Sequence, residues 1–325
     1  YSLAAGSGSA TVNSITGFIT GISIGTVTLT AISGGDTNYY PASTSQLITI
    51  GKTTPTLSIT SANTLNVNGS LTATTTTSAT LGRGGLITYS LAAGSGSATV
   101  NSITGFITGI SIGTVTLTST SGGDTNYYPA STSQLITIGK TTPTLSITSA
   151  NTLNVDGSLT ATTTTSATFG RGGLITYSLA AGSGSATVNS ITGFITGISI
   201  GTVTLTAISA GDTNYYPANT SQLITIGKTT PTLSITSANT LNVNGSLTAT
   251  TTTSATLGRG GLITYSLAAG SGSATVNSIT GFITGISIGT VTLTAISGGD
   301  TNYYPASTSQ LITIGKTTPT LSITS

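Results

Sequence analysis

One stretch of sequence occurs four times along the chain at a fixed spacing. The segment GGDTNYYPASTSQLITIGK, at Gly34–Lys52, returns unchanged at Gly122–Lys140 and Gly298–Lys316. It also returns at Ala210–Lys228 with two substitutions. The start positions 34, 122, 210 and 298 give a period of 88 residues, and the rest of the chain follows the same period. This regularity constrains the fold more than any other feature, because each period must be one structural unit that is stacked on the next.

The composition narrows the classes of function. Charged residues are only 4% of the chain and the formal net charge is +2, so electrostatics give no support for nucleic acid as a partner. Cysteine and histidine are absent, and the five acidic residues are all aspartates. The chain therefore has few of the residue types that form nucleophile–base pairs or metal sites. We predict that the chain is not an enzyme and that it needs no cofactor, metal ion or disulfide.

One period has the pattern of short β-strands separated by turns. Gly113–Thr118 alternates, with Val115 and Leu117 on one face, which predicts a half-buried strand. Asn68-Gly69 is a two-residue turn signal between two strands, and Gly82–Gly85 is a second turn. Seven or eight such strands without helical periodicity predict an all-β fold, a β-sandwich with Greek-key connections. Apolar runs stay well below the ~18 residues of a membrane helix, so we expect no membrane span.

Other strands of the period are less regular. Phe106-Ile107 is predicted to be a short strand that glycines interrupt, at Gly105 before it and Gly109 after it. Gly122–Asn126 is predicted to be a hairpin loop. Leu135–Ile138 is predicted to be the closing strand.

The clearest linker signal sets the predicted domain boundaries. Gly51–Pro55 follows a strand, contains the only lysine of the period and ends in a proline that holds the preceding residue extended. Because neither end of the chain completes a domain, we expect the chain to be a window onto a longer array. The predicted Ig-like domains are 52–139, 140–227 and 228–315, here called the first, second and third full repeat, with 1–51 the C-terminal part of a domain and 316–325 the start of another.

Several of these segments carry a family resemblance. The motif G-D-T-N-Y-Y-P-A, preceded by G-T-V-T-L-T-A and followed by a strand that ends I-T-I-G-K, resembles the tail of bacterial Ig-like tandem repeats in which G-D-x-N-Y joins the last two strands. Y-S-L and G-S-A-T-V resemble the middle strands of those domains. The resemblance covers the whole period. It implies a large secreted or cell-surface bacterial protein, such as an adhesin, in which the domains form a stalk.

The loop with the G-D-x-N-Y-Y motif supplies the candidate site residues. Its Asp and Asn side chains are predicted to bond their own loop backbone, as these residues do in turns. The alternative is a calcium site, which is disfavoured because calcium takes six to eight oxygens and each loop offers one carboxylate. The aspartates and asparagines are Asp36, Asn38, Asp124, Asn126, Asp212, Asn214, Asp300 and Asn302.

Two tyrosines follow in each loop. We predict that one closes the end of the sandwich core, with its hydroxyl bonded to backbone, and that the other lies against the neighbouring domain. The alternative is an exposed aromatic pair that binds sugar. The pairs are Tyr39 and Tyr40, Tyr127 and Tyr128, Tyr215 and Tyr216, and Tyr303 and Tyr304.

Hydroxyl-rich segments raise the question of glycosylation. Thr74, Thr75, Thr76 and Thr77 are candidate O-glycan acceptors, and Asn219 begins an N-glycosylation sequon. Asn68 and Asn244 also begin sequons, but the second full repeat has Asp156 at this position, so turn chemistry explains the residue better than a glycan. Thr-x-Thr runs such as Thr26–Thr30 are predicted to be the solvent face of a strand rather than an ice-binding array.

The sequence is compatible with three functions from different classes. The first is a neutral stalk or spacer, and the second is the body of an extracellular fibre. The third is a carbohydrate-binding adhesive array. The expected partners are neighbouring repeats, other copies of the chain in a fibre, and glycans. The expected location is the bacterial surface or the extracellular medium.

Overall fold

The structure is a computed structural model, and it describes residues 1–80, 84–168, 172–256 and 260–323. Residues 82 and 83 of the second predicted turn lie outside the described residues. The chain forms two compact units. Unit 1 comprises residues 1–143, 167–172 and 211–216, and unit 2 comprises residues 144–166, 173–210 and 217–325. The domain boundaries at Lys52, Lys140 and Lys228 stay predictions.

Unit 1 contains fourteen of the strands, all of them short or of moderate length. They are β1 Ser2–Ala5, β2 Ser9–Val12, β3 Ile19–Ser23, β4 Gly25–Ser33, β5 Ala42–Ile50, β6 Leu57–Ile59, β7 Thr64–Asn66, β8 Ser70–Thr72, β9 Thr75–Thr77, β10 Ile87–Ala93, β11 Ser97–Val100, β12 Phe106–Ser111, β13 Gly113–Ser121 and β14 Ala130–Gly139.

The strands of the first full repeat form a sandwich. One sheet has the order β10-β13-β14-β7, with β7 parallel to β14 and the other pairs antiparallel. The other sheet has the order β11-β12-β8, and β6 pairs with β9 in a separate ribbon. The tandem Ig-like β-sandwich predicted from the sequence is confirmed.

Alternation of side chains builds the core of this sandwich. Along β13 every second residue is buried, with Val115 2% exposed and Leu117 0% exposed. Their partner strand β14 contributes Ile136 and Ile138, and β12 contributes Ile107 from the opposite sheet. The threonines between them face solvent in part, so the solvent-face interpretation of the Thr-x-Thr runs agrees with this register.

The predicted turn at Asn68-Gly69 lies between two strands, β7 and β8, and because these belong to different sheets the turn carries the chain across the core. One local prediction was wrong. Gly109 does not end a strand. It lies inside β12 opposite Ala98, next to a register shift. Glycine is needed there because a Cβ would lie 2.7 Å from the carbonyl oxygen of Asn66.

The chain also changes sheet after β10 and after β12, which gives the Greek-key connections. Gly113 makes the second of these crossings with a φ of 126°. A Cβ at Gly113 would lie 2.4 Å from the backbone nitrogen of Gly96, so the crossing needs glycine for both its angle and its space.

Unit 2 repeats these elements. Its sheets have the orders β16-β23-β22-β19, β17-β21-β20, β25-β32-β31-β28 and β26-β30-β29, with the ribbons β15-β18 and β24-β27. Its strands are β15 Leu145–Ile147, β16 Thr152–Asn154, β17 Ser158–Thr160, β18 Thr163–Thr165, β19 Ile175–Ala181, β20 Ser185–Val188, β21 Phe194–Ser199, β22 Gly201–Ser209, β23 Ala218–Gly227, β24 Leu233–Ile235, β25 Thr240–Asn242, β26 Ser246–Thr248, β27 Thr251–Thr253, β28 Ile263–Ala269, β29 Ser273–Val276, β30 Phe282–Ser287, β31 Gly289–Ser297 and β32 Ala306–Gly315.

Residues 1–51 form two smaller sheets in unit 1, with the orders β1-β4-β5 and β2-β3. Among the residues that the structure describes, no helix has the length and hydropathy needed to cross a lipid bilayer.

Candidate functional site: an interface between successive repeats

The loop between β13 and β14 is organised by one carboxylate. Oδ1 of Asp124 accepts hydrogen bonds from the backbone nitrogens of Asn126, at 2.7 Å, and Tyr127, at 2.9 Å. Oδ2 of Asp124 accepts one from the nitrogen of Gly84 at 2.7 Å. The loop at Asp300 has the same three bonds, from Asn302, Tyr303 and Gly260. Carboxylate oxygens that already bond backbone N–H groups fix the loop conformation.

The residues of the predicted linker also hold this loop. Nζ of Lys52 donates to the carbonyl oxygen of Asp124 at 2.9 Å and lies 5.8 Å from the centre of the Tyr128 ring. Thr53 pairs with Tyr127 as an isolated bridge. The lysine and the second tyrosine therefore form a cation–π pair that ties the start of a repeat to its last loop. The same pairing occurs between Lys228 and Tyr304.

The loop asparagine reaches the preceding repeat in three successive places. Oδ1 of Asn126 accepts a hydrogen bond from the backbone nitrogen of Ile24 at 3.0 Å. Asn214 accepts from Ile112 at 3.1 Å, and Asn302 accepts from Ile200 at 3.1 Å. Each acceptor satisfies a backbone donor at the bend between two strands of the preceding repeat.

The first tyrosine of the loop enters the core of the preceding repeat. Tyr215 is 0% exposed and belongs to the hydrophobic cluster that contains Val67 and Ile107. Tyr303 is 2% exposed and belongs to the cluster that contains Val155. The prediction gave burial to one tyrosine and the contact with the neighbour to the other. At Tyr215 and Tyr303 the structure gives both roles to the first tyrosine, because its ring fills the end of the neighbouring core.

The hydroxyl of this tyrosine completes the interface. In unit 1, the Tyr215 hydroxyl accepts hydrogen bonds from Nδ2 of Asn68, at 2.9 Å, and from the nitrogen of Thr168, at 3.1 Å. The Thr168 hydroxyl donates to Oδ1 of Asn68 at 2.7 Å. We call the turn residue, the threonine and the tyrosine of each interface the clasp. Its turn residue, Asn68, has a φ of 62°, a left-handed conformation that asparagine and aspartate adopt more readily than most residues.

In unit 2 the clasp carries a charge. Asp156 replaces the asparagine with nearly the same φ, 61°. It accepts hydrogen bonds from the Tyr303 hydroxyl, at 2.6 Å, and from the Thr256 hydroxyl. Because hydroxyl groups can donate or accept, a threonine and a tyrosine at equivalent positions bond an amide in one clasp and a carboxylate in the other.

These bonds change the pKa values of both partners. Partial loss of water contact raises the pKa of Asp156, but hydrogen bonds from Thr256 and Tyr303 outweigh this effect and hold it below the ordinary value of 3.8. The pKa of Tyr303 lies above the ordinary 10.0, first because of burial and then because of its bond to the carboxylate. The aspartate is therefore ionised at neutral pH and the tyrosine is neutral.

The loops at Asp36 and Asp124 differ from the two loops whose tyrosines belong to a clasp. The Asp36 loop has its carboxylate bonded to the nitrogens of Asn38 and Tyr39, but Tyr39 is 74% exposed and Tyr40 is 94% exposed. The Tyr127 hydroxyl bonds Thr80 of its own repeat. Among the described residues, no group of three acidic, histidine or cysteine side chains could hold a metal ion.

The candidate acceptors of glycans differ in accessibility. The hydroxyl of Thr74 pairs with Thr60, that of Thr76 donates to the carbonyl oxygen of Ser58, and that of Thr77 accepts from the nitrogen of Ala79. Thr75 is half-buried and donates to Ser119. Asn219 is exposed on β23.

Sequence reasoning missed the role of Asn68 and Asp156, which it treated as turn residues, and it did not single out Thr168 and Thr256. A usable signal was present, since the turn position varies between asparagine and aspartate, which share an oxygen acceptor as well as a tolerance for left-handed φ. The single lysine of each period was a signal of a different contact, the one that Lys52 makes between the linker and the loop at Asp124.

Comparisons with known proteins give no family. No protein-family model matches the chain, and no curated protein matches it. Solved structures with some similarity include a Drosophila N-cadherin EC1–3 fragment, at 13% identity and a TM-score of 0.24, covering 71% of this chain and 89% of that one. An ICAM-5 D1–D4 ectodomain fragment has 12% identity and a TM-score of 0.30, with 90% of this chain and 83% of that one covered. The fibronectin(III)-like modules of Clostridium thermocellum CbhA have 12% identity and a TM-score of 0.23, with coverage of 53% and 95%. No functional conclusion follows from similarities of this size.

Proposed function

We propose that the chain is a structural repeat region of a bacterial extracellular or cell-surface protein, that it acts as a stalk or as the body of a fibre, and that it is not an enzyme. One observation carries the proposal. The bond from a backbone nitrogen of one repeat to the loop asparagine of the next occurs at three successive steps, at Asn126, Asn214 and Asn302. An interface that is repeated with the same donor and acceptor suits a chain whose task is to hold its repeats in line.

The clasp suits the same task. Separating two repeats at Tyr215 would break its hydroxyl bonds and withdraw a fully buried ring from the neighbouring core. Burial of an aromatic ring and hydrogen bonds that are satisfied across an interface both oppose swivelling between neighbours. A linker of glycine and serine alone would leave the repeats free to rotate.

The surfaces of the repeats support a spacer that binds little. Opposite threonine and serine hydroxyls on the outer face bond each other, as at Thr118 and Ser133, 3.0 Å apart. The alternative, a carbohydrate-binding array, requires both tyrosines of a loop to be available. In the second full repeat Tyr215 is buried, and the half-exposed Tyr216 has Lys140 5.7 Å from the centre of its ring.

Electron microscopy of the purified chain tests the proposal and separates its two forms. Single strings of evenly spaced domains would indicate a stalk, and ordered thick filaments would indicate a fibre. Irregular compact particles would contradict both.

A matched pair of variants tests the interface itself. Asn214→Ala removes the acceptor of the Ile112 nitrogen and should broaden the distribution of angles between successive repeats. Asn38→Ala is the control, because Asn38 holds the same position in the period, is exposed and accepts no such bond among the described residues. Equal angle distributions in both variants and in the wild type would remove the support that the interface gives.

A further inference from the structure

The backbone at the start of the first full repeat is bonded to the end of the last loop of the same repeat. The nitrogen of Thr53 donates to the carbonyl oxygen of Asn126 at 3.3 Å, and the nitrogen of Tyr128 donates to that of Thr53 at 3.0 Å. We call these two bonds, together with the contacts of Lys52 to Asp124 and Tyr128, the linker bridge. The bridge joins the first residues of the repeat to residues that immediately precede its closing strand.

The closing strand β14 starts beside the linker bridge and ends where the repeat ends. One residue, Pro129, separates Tyr128 from β14. The strand then runs to Gly139, which directly precedes the lysine of the next linker. Tension that enters the repeat at Thr53 can therefore cross the bridge to Tyr128 and leave along a single strand, without passing through β6–β13.

The direction of the bridged segments decides how a pulling force acts on their bonds. Thr53 and Tyr127 form a parallel pair. Pulling the chain from its ends draws Thr53 backwards and Tyr127 forwards along the same line, so the pair is sheared and its hydrogen bonds are loaded together. An antiparallel pair at this place would be peeled from one end, one bond at a time. The parallel pair therefore resists tension better for the same number of bonds.

A second parallel pair holds β14 at its other end. The nitrogen of Thr137 donates to the carbonyl oxygen of Asn63 at 2.9 Å. The nitrogen of Val67 donates to that of Gly139, also at 2.9 Å. Along the chain β7 follows the linker after β6 alone, so this pair is the next to be sheared once the linker bridge has opened. The sandwich can be pulled open only after both pairs have separated.

The other full repeats have the same arrangement. In the second, Thr141 donates to the loop asparagine at 3.3 Å and accepts from the second loop tyrosine at 2.9 Å. In the third, Thr229 makes the same two bonds at 3.2 and 2.8 Å. The parallel strand pair recurs as β16 with β23 and as β25 with β32. The resistance to pulling is therefore a property of the repeat.

We propose that the repeats carry tension along the chain, through the linker bridges and the closing strands, and that the remaining strands lie outside this tension path. In unit 1 the path continues into the preceding strand, since β5 ends at Ile50 and Gly51 alone separates it from Lys52. The inference rests on the proposed function, because a chain is pulled along its length when it joins two separate objects. It adds a mechanical role to a stalk that otherwise needs only length.

Constant-force measurements on single 325-residue chains, held at their two ends, test the tension path. The opening of a full repeat of 88 residues should lengthen the chain by about 250 Å, from ~3.4 Å for each extended residue less the folded length. The test variant combines Lys52→Met, Lys140→Met and Lys228→Met, which removes the ammonium group from each linker bridge. We expect the folded repeats to last about tenfold less long under tension, because each bridge loses one hydrogen bond and one cation–π contact.

A core variant is the matched control. Ile107→Val, Ile195→Val and Ile283→Val each remove one methylene from a fully buried residue outside the tension path. Losing a buried methylene and losing the lysine contacts destabilise by similar amounts, so urea unfolding should show similar losses for the two variants. Lifetimes under tension should stay close to those of the wild type in the control, because forced opening depends on the barrier at the loaded bonds rather than on the overall free energy of unfolding.

Two results would overturn the proposal. Equal shortening of the lifetimes in both variants would show that tension is spread over the whole sandwich. An unchanged lifetime in the lysine variant would show that the linker bridge carries no tension. Hydrogen exchange of β13 and β14 without force shows whether each variant is folded, and Lys52→Gln with its equivalents takes the place of a lysine variant that is loosened.

The proposed function is tested separately by electron microscopy. Irregular compact particles would remove the stalk and the fibre but would leave the difference in lifetimes between the two variants in place. Strings of evenly spaced domains together with equal lifetimes would keep the stalk and remove the tension path.

Discussion

Replacing Tyr215 by phenylalanine removes one hydroxyl from the clasp and leaves the aromatic ring in the neighbouring core. The hydroxyl accepts hydrogen bonds from Nδ2 of Asn68 and from the nitrogen of Thr168, at 2.9 and 3.1 Å. Both donors lose this partner in the variant. At about 0.5–1.5 kcal/mol for each hydrogen bond, the interface should lose about 1–3 kcal/mol.

The equivalent substitution in unit 2 should cost more at neutral pH. The Tyr303 hydroxyl donates to the ionised carboxylate of Asp156, and hydrogen bonds to charged groups are worth about 1.5–3 kcal/mol. Asp156 is exposed to solvent, which screens the charge, so we expect the lower end of that range for this bond. The Tyr303 hydroxyl also accepts from the nitrogen of Thr256 at 3.1 Å, so the loss of that bond adds to the cost.

Hydrogen exchange measures these costs locally. The amides of Thr168 and Thr256 donate to the two tyrosine hydroxyls, so their exchange should accelerate in Tyr215→Phe and Tyr303→Phe respectively. Tyr39→Phe is the control, because Tyr39 holds the same position in the period and is 74% exposed. Unchanged protection of the Thr168 amide in Tyr215→Phe would refute the stabilising role given to the clasp. So would a loss of Thr168 protection of the same size in Tyr39→Phe.

The charged clasp should also respond to pH, with a sign that follows from the pKa of Asp156. That pKa is lower in the folded chain than the ordinary 3.8, so the carboxylate stabilises the interface above that value. The contribution is lost as the pH falls through the folded pKa. Protection at Thr256 should therefore decline in acid more than protection at Thr168, and Asp156→Asn should abolish the difference. Equal acid sensitivity of the two amides in the wild type would contradict this assignment.

Three further predictions concern the repeats themselves. Residues 52–139 expressed alone should fold cooperatively, whereas residues 1–88 should be much less stable. Equal stability of the two fragments in urea unfolding would show that the predicted boundary at Lys52 is wrong. A chelator should leave Tm unchanged, because the Asp124 carboxylate already accepts three backbone hydrogen bonds, and a fall of several degrees would indicate a metal site. A glycan array should show no binding that Tyr216→Ala or Tyr304→Ala removes, since Tyr215 and Tyr303 are buried, and specific binding that either substitution removes would favour the adhesive alternative.

Local patterns in the sequence determined the class of fold and the faces of the strands. The period-two alternation at Val115 and Leu117 identified the buried side of β13, because successive residues of a strand point to opposite faces. The turn signal at Asn68 and the loop at Asp124 were likewise visible, since both depend on the chemistry of a few adjacent residues. These features need no knowledge of distant parts of the chain.

Tertiary structure decided which faces and edges meet. Alternation shows that a strand has a buried face but not which strand lies beside it, so the turn signal at Asn68 did not reveal that its two strands belong to different sheets. The extent of β14 from Ala130, beyond the predicted Leu135–Ile138, depends on pairing with β13 along its polar half. The clasp joins Asn68 to Tyr215, 147 residues apart, and that contact exists only because the core of one repeat ends in an opening that a ring from the next repeat fills.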